Sequence, residues 1–166
     1  MEKLLEKISF QLQYTIENEL RNNFGICYLI GHVMTRILNE LGHEANEVTG
    51  SFAVICSNNK YITYGNRKIK GLNVGDYHTW CEVKTKEGIY IVDPSLKFNK
   101  VGLKKYYSKK IHGKVPDAII CKKENNFYYK YITDDSLVKF SKEYLAKVDK
   151  KLIQKIVDYT IKNLWY

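Results

Sequence analysis

Three residues of this sequence, Cys27, His78 and Asp93, belong to the side-chain types that together support nucleophilic catalysis. A cysteine thiolate is a strong nucleophile, and a histidine can take up a proton and return it. A carboxylate can fix the orientation and tautomer of the imidazole. Whether the three residues can act together depends on the elements that carry them.

Cys27 lies where a helix is predicted to begin. Residues 22–25 have the composition of a turn, and apolar residues then recur at three- and four-residue steps. This pattern predicts a helix over residues 26–41 that ends at Gly42. The first turn of a helix favours a negative charge and hence the thiolate form of a cysteine. A free cysteine in a helix is also a common core residue, so the position alone leaves a structural role open.

His78 and Asp93 lie on a predicted β-hairpin. Residues 78–83 and 89–95 are rich in β-branched and aromatic residues and flank a charged turn that contains a glycine. Pro94 has no N–H for a strand partner and is expected to end the second strand.

The register of this hairpin decides whether the two side chains meet. If Val83 pairs with Ile89, the numbers of paired residues sum to 172, and His78 lies opposite Pro94. A loop one residue tighter gives a sum of 171 and places His78 opposite Asp93. Directly paired side chains project from the same face of a sheet, about 5 Å apart, so a carboxylate could then hold the imidazole.

Four segments between about residue 24 and residue 95 form a recognisable set: Gly25-x-Cys27, Leu41-Gly42-His43-Glu44-Ala45 followed by Val48-Thr49-Gly50, His78-x-Trp80-x-Glu82-Val83, and Tyr90-x-Val92-Asp93-Pro94-Ser95. With these segments the stretch resembles the transglutaminase-like branch of the papain-like thiol enzymes. The resemblance implies an α+β fold in which the helix of the nucleophile packs on an antiparallel sheet. It also implies a cysteine nucleophile at Cys27, a histidine base at His78 and an orienting aspartate at Asp93. We expect no cofactor and no metal.

The resemblance implies a thiol-dependent hydrolase or acyltransferase that acts on amide bonds of a peptide or protein through a thioester at Cys27. Peptidases, crosslinking enzymes and deamidases all belong to this branch. The alternative is a catalytically idle member of the same fold that binds a peptide or protein. The backbone N–H of Cys27 can supply one hydrogen bond to an oxyanion. The sequence leaves a second donor open among Gln11, Gln13, Asn22 and Asn23.

Length and composition are those of one globular domain over residues 1–166, with 45% apolar residues. There is no apolar run long enough to span a bilayer. Residues 1–7 lack the continuous apolar stretch of a signal peptide, so we expect a cytoplasmic location with reduced cysteines. The cysteines are widely spaced, with no C-x-x-C pair, which argues against a structural zinc site: Cys27, Cys56, Cys81 and Cys121.

The net positive charge of the protein arises in the second part of the chain. Residues 1–96 contain 10 Lys+Arg and 11 Asp+Glu, whereas residues 97–166 contain 17 and 7, which together give the net charge of +9. The lysines are dispersed and have acidic residues among them. This pattern is typical of solvated helix faces, and we expect no specific nucleic-acid partner.

The remaining segments give weaker predictions. Apolar spacing predicts helices over residues 2–21, 136–147 and 150–164, the second of them capped by Asp134-Asp135-Ser136. His32 is expected to be a partly buried structural residue, and Trp80 either a shield for the imidazole or a core aromatic. For the other segments we expect strands over 45–56 and 59–64, a loop over 67–75, no regular period over 97–114, and a hairpin over 118–131 about Glu124-Asn125-Asn126.

Overall fold

A β-sheet with helices packed against it carries the candidate residues. The computed structural model describes residues 1–66, 71–124 and 128–165. Over these residues the chain forms five α-helices and seven strands in an α+β arrangement. The helices are α1 (Glu2–Glu19), α2 (Cys27–Glu40), α3 (Leu96–Tyr107), α4 (Val138–Leu145) and α5 (Lys150–Lys162), and the strands are β1 (Glu44–Ile55), β2 (Tyr61–Tyr64), β3 (Gly71–Gly75), β4 (His78–Thr85), β5 (Gly88–Asp93), β6 (Ile119–Lys122) and β7 (Tyr129–Thr133).

The sheet is mixed and runs in the order β3-β2-β1-β4-β5-β6, and β7 also pairs with β1. The strands β2 and β3 are parallel, so the expectation of a purely antiparallel sheet is wrong. The loop expected over residues 67–75 is also wrong for Gly71–Gly75, while residues 67–70 lie outside the described residues. The glycine-bearing segment has weak β-propensity, but β2 offers it an edge whose backbone groups need partners.

The hairpin β4–β5 forms in a register that differs from both predicted ones. Val83 pairs with Tyr90 and Thr85 with Gly88, so paired numbers sum to 173 rather than 172 or 171. A two-residue turn closes the hairpin, as the twist of antiparallel strands favours. Continuing this register by one step places Asp93 opposite Trp80. Because alternate residues share a face of a strand, Asp93 then lies on the same face as His78.

Helix α2 forms as predicted and ends at Gly42, whose φ of +84° suits a residue without a side chain. The helix lies very close to β4 at Gly31. A Cβ atom added there would come within 2.8 Å of the Thr79 Cγ2 atom. Cys27 lies about one helical turn before this contact, so the close packing brings the start of α2 to the start of β4, where His78 lies.

The helices predicted near the two ends of the chain also form. Helix α1 packs against α5, and both contribute to the same hydrophobic cluster as α2. Asp134 caps the turn before α4 by accepting a hydrogen bond from the Ser136 N–H, and Asp149 does the same for α5. Among the described residues no helix is long and apolar enough to cross a membrane.

Two segments depart from the sequence predictions. Helix α3 forms where the sequence shows no regular apolar period. The period is hidden because two of the buried positions of this helix are occupied by Asn99 and Gly102 rather than by apolar residues. The hairpin predicted over residues 118–131 does not form: β6 pairs with β5, and β7 pairs with β1. Two of the three residues of its predicted turn, Asn125 and Asn126, lie outside the described residues.

Candidate active site

His78 and Asp93 form a buried pair at one end of the sheet. The Nε2 atom of His78 lies 2.7 Å from the Oδ2 atom of Asp93. The side chains are 0% and 1% exposed, so almost no water weakens their interaction. Both residues lie at strand ends: His78 is the first residue of β4, and Asp93 is the last residue of β5.

The carboxylate of Asp93 is held by four donors. Oδ1 accepts hydrogen bonds from the Ser95 N–H at 3.0 Å and from the Ser95 hydroxyl at 2.6 Å. Oδ2 accepts from the Tyr131 hydroxyl at 2.7 Å and from His78. Burial alone would raise the pKa of Asp93, but the charge of His78 and these hydrogen bonds lower it below its ordinary value. Asp93 is therefore an ionised, fixed acceptor for the imidazole.

The electrostatics of His78 favour its charged form. Burial lowers the pKa of His78, but the charge and hydrogen bond of Asp93, together with the Cys27 thiol, outweigh it and raise the pKa to about 10. A buried imidazolium beside a buried carboxylate is an ion pair that excludes solvent. Such a pair holds the ring in one orientation.

Aromatic rings surround the imidazole. The Phe52 ring stacks on it at a centroid distance of 4.6 Å, and Tyr64 and Trp80 lie at 5.4 Å and 6.3 Å. Trp80 is 1% exposed, so it is a core residue that at the same time keeps water from His78.

Cys27 is an electrostatic neighbour of the imidazole. Because Nε2 of His78 is engaged by Asp93, Nδ1 is the nitrogen available to the thiol. Nδ1 is buried and makes no regular hydrogen bond to the described residues. The thiol is nevertheless near enough to contribute to the raised pKa of His78. Cys27 is 8% exposed and opens α2, so its backbone N–H has no intrahelical partner.

The structure thus brings Cys27, His78 and Asp93 together, although the predicted registers were wrong. Both the predicted sum of 171 and the observed sum of 173 are odd, and odd sums put His78 and Asp93 on the same face of the hairpin. A sum of 172 would have put them on opposite faces.

Two residues of this site escaped the sequence analysis. Tyr131 lies on β7 and donates a hydrogen bond to Asp93. It lies close to Asp93 because β7 pairs with β1, where Tyr131 is opposite Phe52. Such long-range pairing leaves no local signal. Tyr64 contacts His78 from the end of β2, and its only sequence signal was its place in a predicted strand.

Three of the residues considered as second oxyanion donors differ in their hydrogen bonds. The Gln13 amide donates to the carbonyl oxygens of Pro94 and Asp117, at 2.9 Å and 3.0 Å, so it ties α1 to the end of β5. The Asn22 side chain accepts a hydrogen bond from the Phe24 N–H. The Oδ1 atom of Asn23 is buried without a partner among the described residues.

His32 is partly buried, as expected, and contacts Glu47. Its Nδ1 atom lies 2.8 Å from the Oε2 atom of Glu47, and both side chains are partly exposed. This contact ties α2 to β1 at a distance from the Cys27 thiol. Among the described residues no group of three or more His, Cys, Asp or Glu side chains could hold a metal ion.

Two groups of aromatic residues lie near the start of α2. In one group Tyr28 stacks on Tyr144, which also contacts Tyr77. In the other group Phe24 stacks on Tyr106. Two surface cavities, of about 550 and 700 Å³, lie elsewhere, beside His32 and beside β2 and β3, and Cys27 lines neither.

The comparisons with known proteins identify the fold alone. No family model matches the sequence, and no curated protein matches it. One solved structure, the crystal structure of a genomics target, is 8% identical to this chain, with a TM-score of 0.55. The match covers 98% of this chain and 78% of the other. At this identity the two proteins share a fold, and nothing follows about activity.

Proposed function

We propose that this protein is a thiol-dependent acyl hydrolase or acyltransferase that acts on amide bonds of a peptide or protein. Cys27 is the nucleophile, His78 carries the proton and Asp93 orients His78. The observation that carries the proposal is the buried His78–Asp93 contact of 2.7 Å, which leaves Nδ1 of His78 as the ring nitrogen open to a thiol.

In the first half of the reaction the Cys27 thiolate adds to the carbonyl carbon of the substrate. A C–S bond forms, and the electron pair of the carbonyl moves to its oxygen. When this intermediate collapses, the C=O bond re-forms and the C–N bond breaks. The His78 imidazolium gives its proton to the leaving amine. The product of this half is a thioester at Cys27.

In the second half a water molecule or an amine attacks the thioester. His78, now neutral, takes the proton of the attacking group, and the C–S bond breaks to regenerate the thiolate. Hydrolysis follows when water reaches the thioester, and transfer follows when an amine does. Asp93 stabilises the imidazolium each time that it forms. Tyr131 and Ser95 keep the Asp93 carboxylate in place for this role.

The aromatic residues beside the start of α2 support a polypeptide substrate. Tyr106, Tyr144 and Tyr28 are at least partly accessible, and aromatic rings give broad apolar contact with an extended chain. The binding-module alternative rests on one observation, the 8% exposure of Cys27, which leaves the thiol with little access to a substrate.

A simple acyl donor tests the proposal. We expect p-nitrophenyl acetate to leave one acetyl group on the wild type, and mass spectrometry of peptides to find it on Cys27. Cys27→Ala should carry none, whereas Cys56→Ala, which removes another buried cysteine, should be acetylated like the wild type. Acetylation of several cysteines at similar rates, or of none, would count against a nucleophilic Cys27.

A further inference from the structure

The hydroxyl group of Tyr64 is an unexplained polar group in the core. The residue is 7% exposed, and its Oη atom is buried without a hydrogen-bond partner among the described residues. Buried polar groups almost always have partners, and an exception in a native protein calls for an explanation, of which a catalytic role is one.

The backbone around Tyr64 is shaped to place this side chain. Thr63 pairs with Asn73 but Tyr64 pairs with Gly75, so β3 has one extra residue at this point. Bulges of this kind re-aim side chains and are frequent next to active sites. A Cβ atom added to Gly75 would lie 2.9 Å from the Tyr64 Cδ1 atom, so the absence of a side chain there gives the ring its room.

The ring of Tyr64 lies against the catalytic imidazole. Its centroid is 5.4 Å from that of His78 and 5.8 Å from that of Phe52. Burial is the largest cause that raises the pKa of Tyr64, and the charge of Cys27 is the next. The hydroxyl therefore stays protonated at neutral pH.

We propose that the Tyr64 hydroxyl is the second donor to the oxyanion that forms when Cys27 adds to the substrate carbonyl. This inference rests on the proposed function. As the C–S bond forms, the carbonyl electron pair moves onto oxygen. The Tyr64 O–H and the Cys27 N–H then donate hydrogen bonds to that oxygen without giving up their protons. When the C=O bond re-forms, both hydrogen bonds weaken.

Tyr64 fits this role better than Gln13, one of the donors considered from the sequence. The Gln13 amide is already engaged by two carbonyl oxygens. The Tyr64 hydroxyl has no partner among the described residues and carries a proton to donate.

Two reactions of the same thiol test the proposal. Acetylation of Cys27 by p-nitrophenyl acetate passes through an oxyanion, but alkylation by iodoacetamide is a direct displacement that forms none. We expect Tyr64→Phe to slow acetylation about 100-fold and to leave the alkylation rate of Cys27 unchanged. Tyr90→Phe is the matched control. It removes the hydroxyl of another buried tyrosine, which donates to Glu87 in the β4–β5 hairpin, and should change neither rate.

Each outcome decides between the alternatives. Unchanged acetylation of Tyr64→Phe would overturn the role of Tyr64 and leave the proposed function standing. An equal loss of acetylation and alkylation would also overturn it, because Tyr64 would then act on the thiol or on the fold. If the wild type itself is not acetylated at Cys27, the proposed function fails and the oxyanion role fails with it.

Discussion

At the scale of single residues, the four cysteines differ in environment. Burial raises the pKa of Cys56, of Cys121 and, to about 12, of Cys81. None of these three thiols opens a helix beside an imidazole, as Cys27 does. A single protein therefore contains one candidate nucleophile and three internal controls.

We expect Cys27 to react first with iodoacetamide at about pH 6, because the other three thiols have raised pKa values and little thiolate. Peptide mapping after a short exposure measures the order of reaction. His78→Ala should remove the advantage of Cys27 while circular dichroism shows an intact fold. Equal labelling of all accessible cysteines, with and without His78, would make Cys27 an ordinary core thiol.

The raised pKa of His78 also predicts how stability depends on pH. An unfolded histidine has a pKa of about 6.5, and the folded value is about 10. The stabilisation is complete below the unfolded pKa and is lost as pH rises toward the folded one. The free energy of unfolding should therefore fall by a few kcal/mol between about pH 6.5 and pH 10, at about 1.4 kcal/mol per pKa unit.

Urea unfolding of the wild type and of His78→Gln measures this effect, because the variant lacks the titrating group and should show a much flatter profile over the same range. At acid pH the lowered pKa of Asp93 has the opposite effect on stability. The stabilisation of the folded protein by ionised Asp93 is present above the unfolded pKa of this group and is lost as pH falls through its folded pKa. Parallel profiles for the two proteins would contradict a His78–Asp93 ion pair.

At the scale of elements, the sequence predicted the parts of the site that depend on local pattern. Helix α2 and the hairpin β4–β5 have strong apolar periods and clear turn signals. The place of Tyr131 could not be predicted, because it depends on pairing between β1 and a strand far along the chain. Helix α3 could not be predicted from the apolar pattern, because the Phe24 ring occupies the space where a side chain at position 102 would lie. That buried position is therefore a glycine and not an apolar residue.

The contact between α2 and β4 makes Gly31 a test of how the site is positioned. In Gly31→Ala the new Cβ atom would meet the Thr79 Cγ2 atom at 2.8 Å, and backbone atoms of Thr79 and Trp80 at 3.3 Å. We expect a loss of about 1–3 kcal/mol in the free energy of unfolding, since overpacking forces backbone shifts. Acetylation of Cys27 should slow as well, because α2 carries the thiol.

Gly113→Ala is the control for Gly31→Ala, since an added Cβ atom at that position meets no atom within 4 Å. Chemical denaturation and the acetylation rate should both stay at wild-type values for this variant. If Gly31→Ala is as stable and as reactive as Gly113→Ala, the close approach of α2 to β4 does not position Cys27.

At the scale of the whole molecule, some of the lysines that give the protein its positive charge contact the aromatic rings near the start of α2. Lys105 lies over the Tyr106 ring at 5.1 Å, and Lys147 lies over the Tyr144 ring at 5.2 Å. With a net charge of +9, the molecule favours acidic partners at a distance. Charge therefore attracts an acidic substrate and an acidic binding partner equally, and only the chemistry at Cys27 separates the two.

A capture experiment with two forms of the protein makes this separation. We expect Cys27→Ala to retain its protein substrate from a lysate of the source cells, because the variant keeps the aromatic and basic surface but forms no thioester. The wild type should alter the mass of the same protein by cleavage, deamidation or crosslinking, which mass spectrometry detects. Cys56→Ala should behave like the wild type, since Cys56 lies six residues beyond Gly50, the β1 residue that pairs with His78. A partner that both forms retain equally, with its mass unchanged after incubation with the wild type, would identify a binding module and end the enzyme interpretation.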